Sequence, residues 1–127
     1  FAEYLHHRVR TQHWGYASNE NLSNEELIKE SYNGIRPAPG YPACPDHLEK
    51  ETIWQLLDVE KQIGVTLTES LAMWPAAAVS GYYFANEEAR YFGLGKITDD
   101  QVTNYAKRKE IPLEKARKWL HPNIANN

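Results

Sequence analysis

The sequence predicts an α+β fold built on an antiparallel sheet. Three observations predict it. Helical patterns with capping signals occupy both ends of the chain, β-favouring and aromatic residues cluster in the middle, and the two do not alternate as a parallel sheet would require. The 127 residues are enough for one domain with a modest core and too few for two.

Phe1, Leu5 and Val9 recur every four residues, so residues 1–15 read as a helix with one apolar stripe, stopping at Gly15. Ser23 followed by Glu26 is a capping box that opens a short helix to about Ser31, closed by the turn Asn33-Gly34. Residues 36–45, RPAPGYPACP, hold four prolines and a glycine. Proline fixes φ, lacks an amide donor and pushes the preceding residue out of the α region, so this stretch is a stiff, turning loop that loses little entropy on ordering. Asp46 and Glu49 read as a further cap for one helix running to Gly64, with Ile53, Leu56, Leu57, Val59 and Ile63 on its apolar face and Glu60 unexplained inside it.

Residues 65–73 contain a strand that Trp74-Pro75 ends. Residues 77–84 and 90–97 read as an antiparallel hairpin around the polar loop Asn86–Glu88. Gly81, Gly93 and Gly95 would mark bulges or close approaches within it. Thr98 with Gln101 caps a helix to about Glu110, and Pro112 suits the first turn of a final helix to about Leu120. The tail HPNIANN is expected to fray.

Bulk composition excludes several function classes. The charged share of 24% and net charge of −3 give no nucleic-acid footprint. Residues 98–127 carry six Lys and Arg against four Asp and Glu, which reads first as a solvated helix face. One cysteine, Cys44, excludes an internal disulfide and suits a reducing, cytoplasmic setting. No apolar run spans a membrane and no signal peptide opens the chain. The chain reads as helical from its first residue, as expected of a piece of a longer protein.

Catalytic and metal signals are weak. His6 and His7 are adjacent and diverge by about 100° on a helix, and His6 with His13 lacks a carboxylate or cysteine to complete a metal set, so these histidines are expected at the surface. Ser80 is not in a nucleophile elbow, and Gly93-x-Gly95 is not a dinucleotide turn. Cys44 has no local base. Tyr91 and Phe92, adjacent in a strand, point to opposite faces, so one is a candidate for a ligand-facing surface. Arg36 opens the proline loop and is either simply exposed or a bidentate clamp for a carboxylate.

The run GIRPAPGYPACPDH at 34–47 resembles the S-adenosylmethionine (AdoMet) binding loop of cobalamin-dependent methionine synthases. LTESLAMWPAAAVSGYYFANEEARYF at 67–92 and DQVTNYAKRKEIPLEKARKWLHPN at 100–123 resemble the same family's following segments, as does the stretch upstream of the loop. The resemblance covers essentially the whole chain. It implies that residues 1–127 are the C-terminal portion of a single AdoMet-binding activation domain, a curved fold around a twisted antiparallel sheet. Such a domain binds AdoMet and positions its methyl for reductive methylation of oxidised cobalamin, restoring an enzyme that makes methionine from homocysteine and methyltetrahydrofolate.

Carried over by motif, Arg36 would bind AdoMet through its carboxylate. Tyr91 and Phe92 would contribute backbone polar groups and an aromatic wall. Pro37, Ala38, Gly40 and Tyr41 would build the loop, with Tyr41 near the cobalamin. No residue is implied as acid, base or nucleophile, and none as a metal ligand in this segment. Cobalamin and zinc would belong to other domains, and the partners would be the cobalamin domain and a flavodoxin or flavoprotein reductase. An acidic family residue that also contacts AdoMet lies upstream of this segment, which bears on the segment's AdoMet affinity; the folate, homocysteine and cobalamin modules lie outside it too, so the fragment alone is expected not to be catalytic. A docking module without its own AdoMet affinity, steered by the basic excess of residues 98–127, is the alternative. A doubly wound methyltransferase lacks its glycine-rich turn here.

Overall fold

Burial along the first helix follows a polar stripe. In the computed structural model, which describes residues 1–125, α1 spans Ala2–Arg8 and continues through a π-helical turn, Val9–His13, to Gly15 at φ +68°. His6 and Arg10 are fully buried, while Phe1 is 92% exposed, so neither the expected apolar stripe nor the expected surface position of His6 holds. The reason is tertiary. Glu20 accepts two hydrogen bonds from Arg10, from Nε at 2.8 Å and Nη2 at 2.7 Å, and the Tyr32 ring lies 3.5 Å from the guanidinium carbon. A charge can be buried where a carboxylate and an aromatic face both meet it. Burial alone would raise the Glu20 carboxyl, but hydrogen bonds from Arg10 and His7 hold it below its ordinary range.

The chain folds as two compact units. The first comprises Phe1–Pro37 with Gly81–Phe92, and the second the intervening segment with the C-terminal helices. In the first unit, α2 (Asn24–Ile28) starts at the Ser23–Glu26 capping box and ends as Glu30 turns left-handed at φ +54°, just before the predicted Asn33-Gly34 turn. The expected hairpin of residues 77–84 with 90–97 does not form. Phe84 pairs instead with Ile35 in an antiparallel bridge, and residues 90–96 carry no bridge. Three glycines weaken strand preference there, and the stiff proline loop offers a better backbone partner.

In the second unit the predicted long helix is broken. It runs as α3 (Glu49–Leu57) and α4 (Val59–Ile63), with Asp58 left-handed between them at φ +49° and Gly64 closing α4. The break rotates the pattern, so Val59 is buried while Leu56, Leu57 and Ile63 are exposed, and Glu60 lies in solvent after all. Asp46 does not cap the helix with Glu49. Its Oδ1 accepts from the Leu48 amide at 2.8 Å and its Oδ2 from the Tyr105 hydroxyl, which burial and this carboxylate push well above its ordinary pKa. The predicted strand is a two-stranded antiparallel ribbon of β1 (Thr66–Leu67) and β2 (Met73–Trp74). The fold class is therefore α+β with a small antiparallel sheet, as expected.

The core of this unit is the pair α5 (Asp99–Lys109) and α6 (Leu113–Leu120), closing over Ile97, Val102, Ala106, Ala116 and Leu120. The Thr98 amide donates to the Gln101 side chain at 2.8 Å, and Pro112 precedes α6, both as predicted. The tail does not fray through residue 125. A 3₁₀ turn, His121–Asn123, leads to a parallel bridge of Ile124 with Ile97. Asn126 and Asn127 lie outside the described residues.

Candidate functional site

The start of the proline loop is zipped to residues 82–84. The Ile35 amide donates to the Phe84 carbonyl at 3.0 Å, the Phe84 amide returns a bond to Ile35 at 2.9 Å, and the Tyr82 amide donates to the Pro37 carbonyl at 2.9 Å. Proline fits here because the ladder uses only its carbonyl. Alternation along this extended segment sends Ile35 and Pro37, both buried, to one side and Arg36 to the other.

The Arg36 guanidinium is held from several directions. Nη1 donates to the Tyr32 hydroxyl and, at 3.3 Å, to His6 Nδ1; Nη2 donates to Glu3 and, at 3.1 Å, to Glu30. Burial alone would lower the Arg36 pKa, but Glu3 and Tyr32 outweigh it and raise it. Tyr32 itself is pushed up to about 12 by burial and by its bond to Glu3, so it is a neutral phenol that donates to Glu3 at 2.9 Å. The Arg36 amide donates to the Tyr91 hydroxyl at 2.9 Å, joining two segments singled out in the sequence across 55 positions. Tyr91 and Phe92 are 54% and 58% exposed, and neither is core.

Ala38, Gly40 and Tyr41 belong to the second unit. The Gly40 amide donates to the Cys44 carbonyl at 2.8 Å, and the Cys44 amide to the Tyr41 carbonyl at 2.8 Å, so the loop folds as a tight turn with Tyr41 at its exposed edge. Gly40 adopts φ +98°, and a Cβ there would lie 2.2 Å from His47 Cε1, so no other residue fits without displacing that imidazole. Burial, with Glu49 and Asp46 nearby, raises the Cys44 thiol, which makes it a poor nucleophile.

Of the predicted residues, Arg36, Pro37 and Tyr91 are joined through the ladder and the Tyr91 hydroxyl. Phe92 follows Tyr91 with its ring exposed. Sequence reading missed Glu3, His6, Glu30 and Tyr32 around the guanidinium. A signal existed: Glu3, His6 and Arg10 fall at i, i+3 and i+7, a polar helical stripe as regular as the apolar one. Among the described residues no group of three or more His, Cys, Asp and Glu could hold a metal ion.

The family described as vitamin B12 dependent methionine synthase, activation domain, matches residues 1–110. A solved structure described as the crystal structure of the MetH reactivation domain bound to AdoHcy is 60% identical in sequence with a TM-score of 0.93. The match covers 100% of this chain and 39% of that one, so this chain spans about two fifths of the solved relative's length.

Proposed function

The chain belongs to the vitamin B12-dependent methionine synthase activation-domain family, and from that premise we propose that it binds AdoMet and positions its methyl group for reductive methylation of oxidised cobalamin. The observation that carries the reading is the Arg36 guanidinium flanked by the carboxylates of Glu3 and Glu30. The methionine end of AdoMet is a zwitterion. Its carboxylate suits a planar guanidinium, and its ammonium suits the neighbouring carboxylates. Glu30, the more exposed of the two, is the partner that yields to the incoming carboxylate. The solved relative supports the reading, since AdoHcy is AdoMet without the transferable methyl.

In this reading both units form the C-terminal portion of one AdoMet-binding domain. Tyr91 holds the Arg36 amide and, with Phe92, offers aromatic surface to the adenosyl and sulfonium end. Pro37, Ala38, Gly40 and Tyr41 shape the loop, and the exposed Tyr41 would lie near the cobalamin. Another domain of the whole protein would hold the cobalamin, whose reduced cobalt would supply the methyl acceptor. The residues of this chain bind and align, which is what methyl transfer from a sulfonium requires. The whole protein is then a methyltransferase, cytoplasmic and zinc-containing elsewhere, reduced by a flavodoxin or flavoprotein reductase. The fragment alone is not catalytic. No helix among the described residues is long and apolar enough to cross a membrane.

The docking alternative draws less support. Lys109, Lys115 and Arg117 of the basic stretch pair with Glu49, Glu51 and Asp99, which uses up much of the excess charge. Calorimetric titration with AdoMet decides between the readings. Saturable binding, weakened about tenfold or more in Arg36→Ala, is expected from a lost charge-assisted bond. Saturable binding that Arg36→Ala leaves unchanged would sink the clamp.

A further inference from the structure

His6 is fully buried, yet nothing in the mechanism above uses it. Its two ring nitrogens face partners of fixed character. Nε2 lies 3.2 Å from the Phe84 carbonyl oxygen, which can only accept, so Nε2 carries the proton. Nδ1 lies 3.3 Å from Arg36 Nη1, which can only donate, so Nδ1 presents its lone pair. These two contacts select the neutral Nε2–H tautomer without reference to any hydrogen position.

The ring has little freedom to do otherwise. A Cβ on Gly34 would lie 3.0 Å from His6 Nε2 and 2.9 Å from the Phe84 carbonyl, and Gly34 sits at φ +144°, so the imidazole packs closely against bare backbone. Tyr32 meets the ring edge-on at 5.1 Å between centroids, and Tyr83 lies at 5.6 Å. The Phe84 carbonyl that anchors His6 also accepts from Ile35, so one ladder carbonyl fixes both the imidazole and the backbone of the residue before Arg36.

We propose that His6 is a positioning residue for the ligand clamp: locked as the Nε2–H tautomer between the Phe84 carbonyl and Arg36 Nη1, it sets the direction in which the Arg36 guanidinium faces a ligand carboxylate. The inference rests on the reading of Arg36 as the clamp. Glu3 and Glu30 hold Nη2, and a ligand carboxylate competes with them there; His6, together with the Tyr32 hydroxyl, holds Nη1 through neutral acceptors that an anionic ligand does not displace. The guanidinium therefore stays aimed while its carboxylate partners exchange.

The test uses the pair His6→Asn and His6→Gln with AdoHcy as the probe, measured by calorimetry on the full chain. Asn places an acceptor near the Nδ1 position and keeps the bond to Arg36. Gln places a donor near the Nε2 position and keeps only the bond to Phe84. Binding within about twofold of the parent for Asn, and weakened about tenfold for Gln at a similar melting temperature, is expected if the Nδ1 contact aims the clamp. A purely structural role predicts equal losses, which overturns the proposal. In the double variant with Arg36→Ala the Gln penalty should vanish, and a penalty that persists also overturns it. If Arg36→Ala alone leaves AdoHcy affinity unchanged, the clamp reading fails and this inference falls with it; a failure of the His6 pair beside a working Arg36→Ala loss overturns the inference alone.

Discussion

At the scale of single residues, buried polar groups set the behaviour of the first unit. His6 faces two cations, Arg10 and Arg36, and one carboxylate, Glu3, with Tyr32 and Tyr83 against its ring. Burial lowers its pKa first, and the two arginines add to this against the opposing Phe84 bond and Glu3. A histidine that resists protonation when folded takes up protons preferentially when unfolded, so stability is full above its ordinary pKa of about 6.5 and falls as pH drops below it. His47 is lowered by burial and by Lys50 and acts in the same window. Denaturant titrations from pH 7.5 to 5 are expected to show a decline that shrinks in His6→Asn, and an unchanged slope in that variant would contradict this account. Gly40 is the other residue on which much turns. Gly40→Ala adds a Cβ 2.2 Å from His47 Cε1 at φ +98° and is expected to cost about 1–3 kcal/mol, read as a lower denaturation midpoint at constant m-value.

At the scale of elements, end signals decide where helices start and stop. The Thr98 hydroxyl donates to Asp100 and, at 3.1 Å, to Gln101, so Thr98→Ala, which removes that hydroxyl, is expected to cost about 1 kcal/mol in thermal unfolding by loosening the first turn of α5. Asp58 and Glu110 are left-handed without being glycine, and Asp58 divides what reads in sequence as one helix. The α5–α6 pair carries an apolar cluster, and Leu120, 4% exposed, closes it beside Ile124. Leu120→Ala is expected to cost about 2–5 kcal/mol, and a loss under 1 kcal/mol would show that this cluster does not carry the stability assigned to it. Arg117 reaches from α6 to Asp99 at 2.9 Å, but both side chains are about half exposed and the pair contributes little.

At the scale of the whole molecule, ligand binding and folding are linked. A ligand that binds only the folded chain stabilises it by about 2.7 kcal/mol at a hundredfold excess over its dissociation constant. AdoHcy at that excess is expected to raise the melting temperature of the parent chain, and the same concentration should produce a smaller shift in Arg36→Ala. Equal shifts in both would place the ligand away from Arg36. The family match and the 60% identical structure make AdoHcy the natural probe, because it shares the amino-acid end on which Arg36 would act and lacks the reactive sulfonium.

What could be read without coordinates was what short-range chemistry dictates. The capping boxes at Ser23 and Thr98, the helix stop at Gly64, the proline at the head of α6 and the turning loop at 36–45 all follow from backbone groups within a few positions. The family resemblance of that loop implies Arg36, and that of residues 67–92 implies Tyr91. Long-range pairing decided the rest. His6 is buried because a carbonyl 78 residues away accepts its hydrogen bond, and Arg10 because Glu20 and Tyr32 enclose its charge. The expected hairpin gave way because the loop's own backbone was the better partner for Phe84. A polar residue is buried only where its partner arrives, and no local pattern specifies which distant group that will be.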